Sequence, residues 1–317
     1  MAAKDVRPVL AMAGLLVLAQ LVALLMAPAF YATTPPVFEN PEDPVNALLY
    51  ILLILAFTGV ILLVIRMRRQ GAVKYVILAA MFLTMMLVFS LPFFYLFMAF
   101  RTPYADVFAQ IEAIIISGAL TYALAKYPEW YLVDAVGVSV AAGVTAILGM
   151  SFAILPALLL LVGLAIYDAI SVYKTKHMVT LADAVATQRL PILIIIPKSR
   201  HYSFLRQRSL KEQIASGEER DAMFMGLGDI IIPGILVVSA FISLGSRDVS
   251  VVGIGGNVIV ALVTILGTLV GFSALMRYVL RGNPQAGLPL LNTGAILGYA
   301  LAYLAVYRDF TLGIVLG

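Results

Sequence analysis

The chain has 317 residues, of which 62% are apolar and 12% charged, against about 25% charged residues in an ordinary soluble domain. Mean hydropathy is +1.03, and apolar runs of about twenty residues recur from end to end, so the composition excludes a water-soluble globular protein and reads as a polytopic membrane protein. The net charge of +4 does not mark a nucleic-acid binder, because the basic residues are scattered between apolar segments rather than gathered in one domain.

In chain order, apolar spans are expected over 8–29, 47–65, 75–100, 104–125, 131–149, 152–173, 222–245, 251–276 and 287–307. The first follows Lys4 and Arg7 as a signal peptide would, but its apolar stretch is too long and lacks a clean small-x-small cleavage site, so it is expected to be retained. Placing the amino terminus in the cytoplasm puts Lys4, Arg7, Arg66, Arg68, Arg69, Lys74, Lys126, Arg277, Arg281 and the nine basic residues between 174 and 221 inside. Only Arg101, Arg247 and Arg308 fall outside, where Glu39, Glu42 and Asp43 also lie. That bias predicts nine spans with the carboxyl terminus outside. The fold class expected is an all-α polytopic membrane protein in three parts: a six-helix bundle over 1–173, a cytoplasmic loop over 174–221 and a three-helix part over 222–317. Trp130, at a short inner loop, reads as an interfacial anchor.

Within the loop, Met178 to Leu190 has amphipathic helical spacing, with Thr180 as its cap and Asp183 in its first turn. The β-branched run from Leu190 to Pro197 is too short to span and reads as a strand near the inner membrane surface. The stretch from Lys198 to Asp221 is charged.

The inventory of reactive groups is narrow. Without cysteine, thiol catalysis, disulfides and thiolate metal sites are excluded. The two histidines, His177 and His201, both fall in the loop, and the sequence has no His-Glu-x-x-His string, so neither a zinc protease nor a Ser-His dyad inside the membrane can be built. Ionisable residues in apolar spans are costly and are functional candidates by default. Four acids qualify: Glu112, Asp134, Asp168 and Asp229. Glu112 and Asp134 are read as structural, Asp134 lying near the hydrated interface.

Asp168 precedes the first inner lysine, Lys174, by six residues, and Asp229 follows Asp221 by eight. At the helical rise these offsets correspond to depths of about 9 and 12 Å, so the two acids are expected at a common level on consecutive, antiparallel helices. Two neighbouring carboxylates in a low-dielectric site hold one proton between them, which is the aspartic-protease arrangement: one draws a proton from water while the other stabilises the oxyanion. Gly226, Leu227 and Gly228 before Asp229 could start the helix late or admit a substrate backbone. Tyr167 could hydrogen-bond beside the acids, and Pro289 with Leu290 and Leu291 could form an irregular, substrate-contacting start to the last span. The rival readings are separate polar roles for the two acids, a cation- or proton-coupled transporter or channel, helped by Gly253 to Gly256 as a helix interruption, and an inactive helical scaffold.

Tyr167-Asp168 in the sixth span, Gly226-Leu227-Gly228-Asp229 in the seventh and the proline-led string at the start of the ninth together resemble the presenilin and signal peptide peptidase family of intramembrane aspartyl proteases. The third motif departs from the family's Pro-Ala-Leu, reading Pro289-Leu290-Leu291. The resemblance implies an endopeptidase that hydrolyses transmembrane helices with Asp168 and Asp229 as catalytic residues. It implies substrate contacts at Tyr167, Gly226, Leu227, Gly228, Pro289, Leu290 and Leu291, and strand pairing of substrate at Ile194 by β-augmentation. No cofactor or metal is implied. The partners implied are transmembrane-helix substrates and the lipid bilayer, with no nucleic acid; a homo-oligomer and accessory subunits are both compatible. The address expected is a prokaryotic cell membrane, with an endomembrane as the alternative.

Overall fold

The computed structural model describes residues 3–66, 70–174, 191–199, 202–206, 221–245, 247, 249–251, 253–281 and 285–314. The amphipathic helix expected over Met178 to Leu190, both histidines and most of the charged stretch before Asp221 lie outside the described residues.

Nine α-helices occur among the described residues: α1 (Ala3–Thr33), α2 (Val45–Arg66), α3 (Gln70–Ala99), α4 (Ala105–Lys126), α5 (Trp130–Ser151), α6 (Ile154–Tyr173), α7 (Gly228–Ser243), α8 (Gly256–Val279) and α9 (Leu288–Tyr307). All except α2 and α7 contain a stretch long and apolar enough to cross a membrane. The apolar helical stretches Val45–Ile61 and Gly228–Ser243 are shorter. Large apolar side chains such as Leu25, Leu53, Ile115, Val270 and Leu301 stand exposed, as a lipid-facing surface requires.

Two expected spans begin later than their hydropathy suggests. Ala222–Gly226 is a strand, β2, antiparallel to β1 (Leu193–Pro197). The 222–245 span is therefore corrected to a strand followed by the 16-residue α7, and the helical rise assumed between Asp221 and Asp229 does not apply. Likewise β3 (Ser250–Val251) and β4 (Ile254–Gly255) form a small hairpin, and α8 starts at Gly256. Gly253 at its turn has φ +78°, a backbone conformation that favours a residue without a Cβ.

The chain divides into two compact units, interleaved along the sequence: Met1–Phe57 with Ala141–Val179 and Gly228–Gly317, and Thr58–Val140 with Thr180–Leu227. In the first, α7 packs against α1, α6, α8 and α9. Every residue from Ile232 to Ala240 is buried, consistent with a helix apolar on all faces at the centre of its unit. α8 and α9 approach so closely that a Cβ on Gly267 would lie 2.2 Å from the Gly294 carbonyl oxygen. Small residues four apart on both helices, Gly267 with Gly271 and Gly294 with Gly298, permit that approach. In the second unit α3 packs on α4, and the β1–β2 hairpin rests against the start of α5.

Candidate active site

Asp168 lies on α6 and is 4% exposed. Its Oδ2 accepts the Leu288 backbone N–H at 3.1 Å. Leu288 is the first residue of α9, whose first-turn amides have no intrahelical acceptor and turn naturally toward an anion. Pro289 sits in the same turn, where its missing N–H leaves no helical bond unmade. Two further ties run between α6 and this segment: the Tyr173 hydroxyl accepts the Ala286 N–H at 3.4 Å, and the buried Asn292 amide donates to the Leu161 carbonyl at 2.8 Å. The start of α9 is thus fastened to α6 above and below Asp168.

Asp229 occupies the first turn of α7, where an acidic residue suits the positive end of the helix dipole. Its carboxylate reaches the same segment: a Cβ built on Gly287 would stand 3.0 Å from Asp229 Oδ1 and 3.3 Å from Oδ2. Covalent geometry between Gly287 and Leu288 therefore caps the separation of the nearest Asp168 and Asp229 carboxylate oxygens at about 10 Å. Two acids 61 residues apart in sequence converge on one dipeptide step. The step itself carries glycine where a side chain would crowd the second carboxylate.

Residues 13–307 match the family described as signal-peptide peptidase, presenilin aspartyl protease. The chain belongs to that family. Two solved structures, described as a presenilin family intramembrane aspartate protease in a C222 and in a P2 space group, are each 34% identical to it with a TM-score of 0.65. Both matches cover 94% of this chain, and they cover 100% and 98% of theirs. No curated protein matches the chain. This member of the presenilin and signal peptide peptidase family is an integral, multi-pass membrane protein and an intramembrane aspartic endopeptidase.

Of the other residues singled out from sequence, Tyr167, Gly228 and Pro289 to Leu291 belong to the same unit as the two acids, and Gly226 and Leu227 to the other. Tyr167 is half-buried on α6, its carbonyl accepting the Ser171 hydroxyl at 3.0 Å. Gly226 ends β2, Leu227 forms the turn, and Gly228 opens α7. Pro289 and Leu290 are half-buried and Leu291 is buried at the start of α9. Leu290 and Leu291 pack over Gly271, where a Cβ would meet the Leu290 carbonyl oxygen at 2.3 Å. Among the described residues no group of three or more His, Cys, Asp or Glu could hold a metal ion.

In the other unit, Ile194 is buried in β1 opposite Met225. Asp134 is not a hydrated interface residue: it is 7% exposed and its Oδ1 accepts the Ile195 N–H at 2.7 Å. Glu129, which sequence reading passed over, accepts the Ser203 hydroxyl at 2.6 Å and the Phe204 N–H at 3.1 Å. Phe204 is fully buried and its ring lies 6.3 Å from that of Phe224 in β2. Gly137, one turn beyond Asp134, leaves room for Leu227 and Ile194, whose side chains lie 3.2 and 3.4 Å from where its Cβ would be. Burial, with the carboxylates of Asp221, Glu129 and Asp134 around it, pushes the Tyr202 hydroxyl above its ordinary range. That phenol stays neutral beside them. Glu112 is half-buried on α4, and Trp130 opens α5 with its ring edge-on to Tyr131. The signal that could have exposed Glu129 and Asp134 is three-dimensional: their partners lie more than sixty residues away.

Proposed function

We propose that Asp168 and Asp229 are the catalytic pair and that the segment from Gly287 to Leu291 lies beside the scissile bond. The observation carrying this reading is the convergence of both carboxylates on the Gly287–Leu288 step. The pair holds one proton between them. The ionised member takes a proton from the attacking water, and the protonated member donates to the peptide carbonyl as it becomes an oxyanion. The Leu288 amide fixes the rotamer of Asp168, so that the acid is oriented before substrate arrives.

The substrates are transmembrane helices. Their amides are satisfied by the helix, so cleavage requires local unwinding, and the unwound backbone needs new partners. The β1–β2 sheet supplies them by strand addition, and β2 leads through Leu227 directly into α7 and Asp229. Tyr167, Gly226, Leu227, Gly228, Pro289, Leu290 and Leu291 line the substrate path. The charge bias supports an amino terminus in the cytoplasm and nine crossings, with α2 and α7 completing the set. Substrates then present their amino termini outside, and the address is a prokaryotic cell membrane.

The deciding experiment uses the purified protein in bilayers with a labelled transmembrane peptide. Asp168→Asn and Asp229→Asn should each abolish hydrolysis, and a mimic of the hydrated amide should inhibit the parent. Retained cleavage in either variant rejects the pair. Ion flux without proteolysis would instead favour a transport role for the same acids.

A further inference from the structure

The two edges of the β1–β2 sheet are not equivalent. Leu227 donates to the Ile192 carbonyl and Lys198 to the Asp221 carbonyl. With Ile194 opposite Met225 and Ile196 opposite Met223, the even-numbered residues of β1 are those that bond to β2, because hydrogen-bonded and non-bonded pairs alternate along an antiparallel ladder. The amides and carbonyls of Leu193, Ile195 and Pro197 therefore point away from β2, as those of Ala222, Phe224 and Gly226 point away from β1.

On β1 this outward edge is closed twice. The Ile195 N–H is taken by the buried Asp134 carboxylate, and Pro197 has no N–H to offer. Only Leu193 keeps an outward donor. On β2 all three outward residues carry an N–H, since Ala222, Phe224 and Gly226 include no proline, and no further strand joins the sheet among the described residues. Closing an edge with a buried charge or a proline is how proteins prevent strands from pairing there.

We infer that Asp134 is a positioning residue that sets which edge receives the substrate: by occupying the Ile195 amide it denies β1 to an incoming strand and leaves β2 as the docking edge. This rests on the strand-addition reading above and adds to it the register control. Gly137 seats α5 against Ile194 of the same hairpin, and Glu129, just before α5, binds Ser203 and Phe204, whose ring lies by Phe224 of β2, so the carboxylate is held at its station rather than free to withdraw.

The chain's lack of cysteine gives a clean test. Leu193→Cys and Phe224→Cys variants are mixed in bilayers with a transmembrane peptide carrying one cysteine at successive positions, and disulfides are formed with copper-phenanthroline. Adjacent strands bring Cβ atoms within about 5.5 Å, whereas the far edge of a two-stranded sheet is about 10 Å away and beyond disulfide reach. With Asp134 intact, adducts should form at Phe224→Cys at least tenfold more than at Leu193→Cys. Adding Asp134→Ala should raise the Leu193→Cys adduct to a comparable yield, and Asp134→Asn, which keeps the acceptor oxygen, should restore the parent pattern. Equal adducts at both positions with Asp134 intact overturn the inference even if the alanine variant does not fold. An unchanged partition in a folded Asp134→Ala protein overturns it too. Adducts at neither position, in any variant, would remove strand addition itself and this inference with it, while the Asp168 and Asp229 tests would stand apart.

Discussion

Asp168 on α6 and Asp134 on α5 look alike one at a time. Each is a carboxylate on a helix of membrane-spanning length, 4% and 7% exposed, and each accepts a backbone amide from a segment far along the chain, at 3.1 and 2.7 Å. Their company differs. The amide held by Asp168 belongs to a step that a second carboxylate, Asp229, also reaches, whereas the amide held by Asp134 belongs to a strand edge. A buried, amide-bonded carboxylate is therefore not a catalytic signature by itself. Convergence of two such groups on one backbone position is the stronger mark.

Neutralising each acid without changing its shape should separate the two most strongly. Asp168→Asn and Asp229→Asn should each lower kcat by on the order of 10³-fold or more, and the double variant should be no worse than either, because groups that act as a unit are not additive. Asp134→Asn should keep most of the parent rate. Single-turnover assays with one labelled peptide check all four proteins, and an Asp134→Asn protein as dead as the other two would erase the distinction.

A smaller effect is expected at the shared step. A Cβ on Gly287 meets the Asp229 carboxylate at 3.0 Å, so Gly287→Ala forces a slight shift and Gly287→Val a larger one. Displacing a reacting group by about 1 Å costs up to about 10²-fold. The valine variant should lose about 10- to 100-fold in kcat with KM little changed and with thermal stability near that of the parent. A loss of stability as large as the loss of rate would mean that Gly287 serves packing rather than the acid.

Much of this was legible in the sequence, for a definite reason. Asp168 and Asp229 stand out because a charge in an apolar span is rarely tolerated without a task, and β1 stands out because Ile194, Ile195 and Ile196 are bracketed by prolines. β2 was hidden: Ala222-Met223-Phe224-Met225 continues into an apolar helix with no change in hydropathy, and a short apolar run has no periodicity that separates strand from helix. The roles of Asp134 and Glu129 depend on partners brought in by tertiary structure. The register matters as well. Ile194 faces β2 rather than the outward edge, so Ile194→Pro should weaken the hairpin and cleavage together. Phe224→Pro removes an outward amide and should lower kcat/KM by roughly 3- to 10-fold at little cost to the β1–β2 ladder. Equal melting losses in the two variants would contradict the assigned register.

The weakest dependence is expected at the other end of α9, on Asp309, an acid that accepts four hydrogen bonds. The Thr311 hydroxyl and N–H donate to Asp309, as do the Tyr303 hydroxyl and the Arg247 guanidinium, whose carbon also lies 5.6 Å from the ring centres of Tyr303 and Tyr307. These contacts, the Thr311 hydroxyl foremost, hold its carboxyl well below the ordinary range. Because the folded value is the lower one, the ionised form stabilises the fold at all pH above the unfolded value of about 3.9, and that contribution fades as pH falls through the folded value. The side chain is nevertheless 36% exposed, and water screens such pairs. Asp309→Asn should lower Tm at pH 7 by no more than about 2 °C, leave hydrolysis unchanged, and converge with the parent only below about pH 4. A large loss of activity at neutral pH would instead tie this polar end of α9 to the acids at its other end, and hydrogen-bond number would then outweigh burial in ranking the carboxylates of this protein.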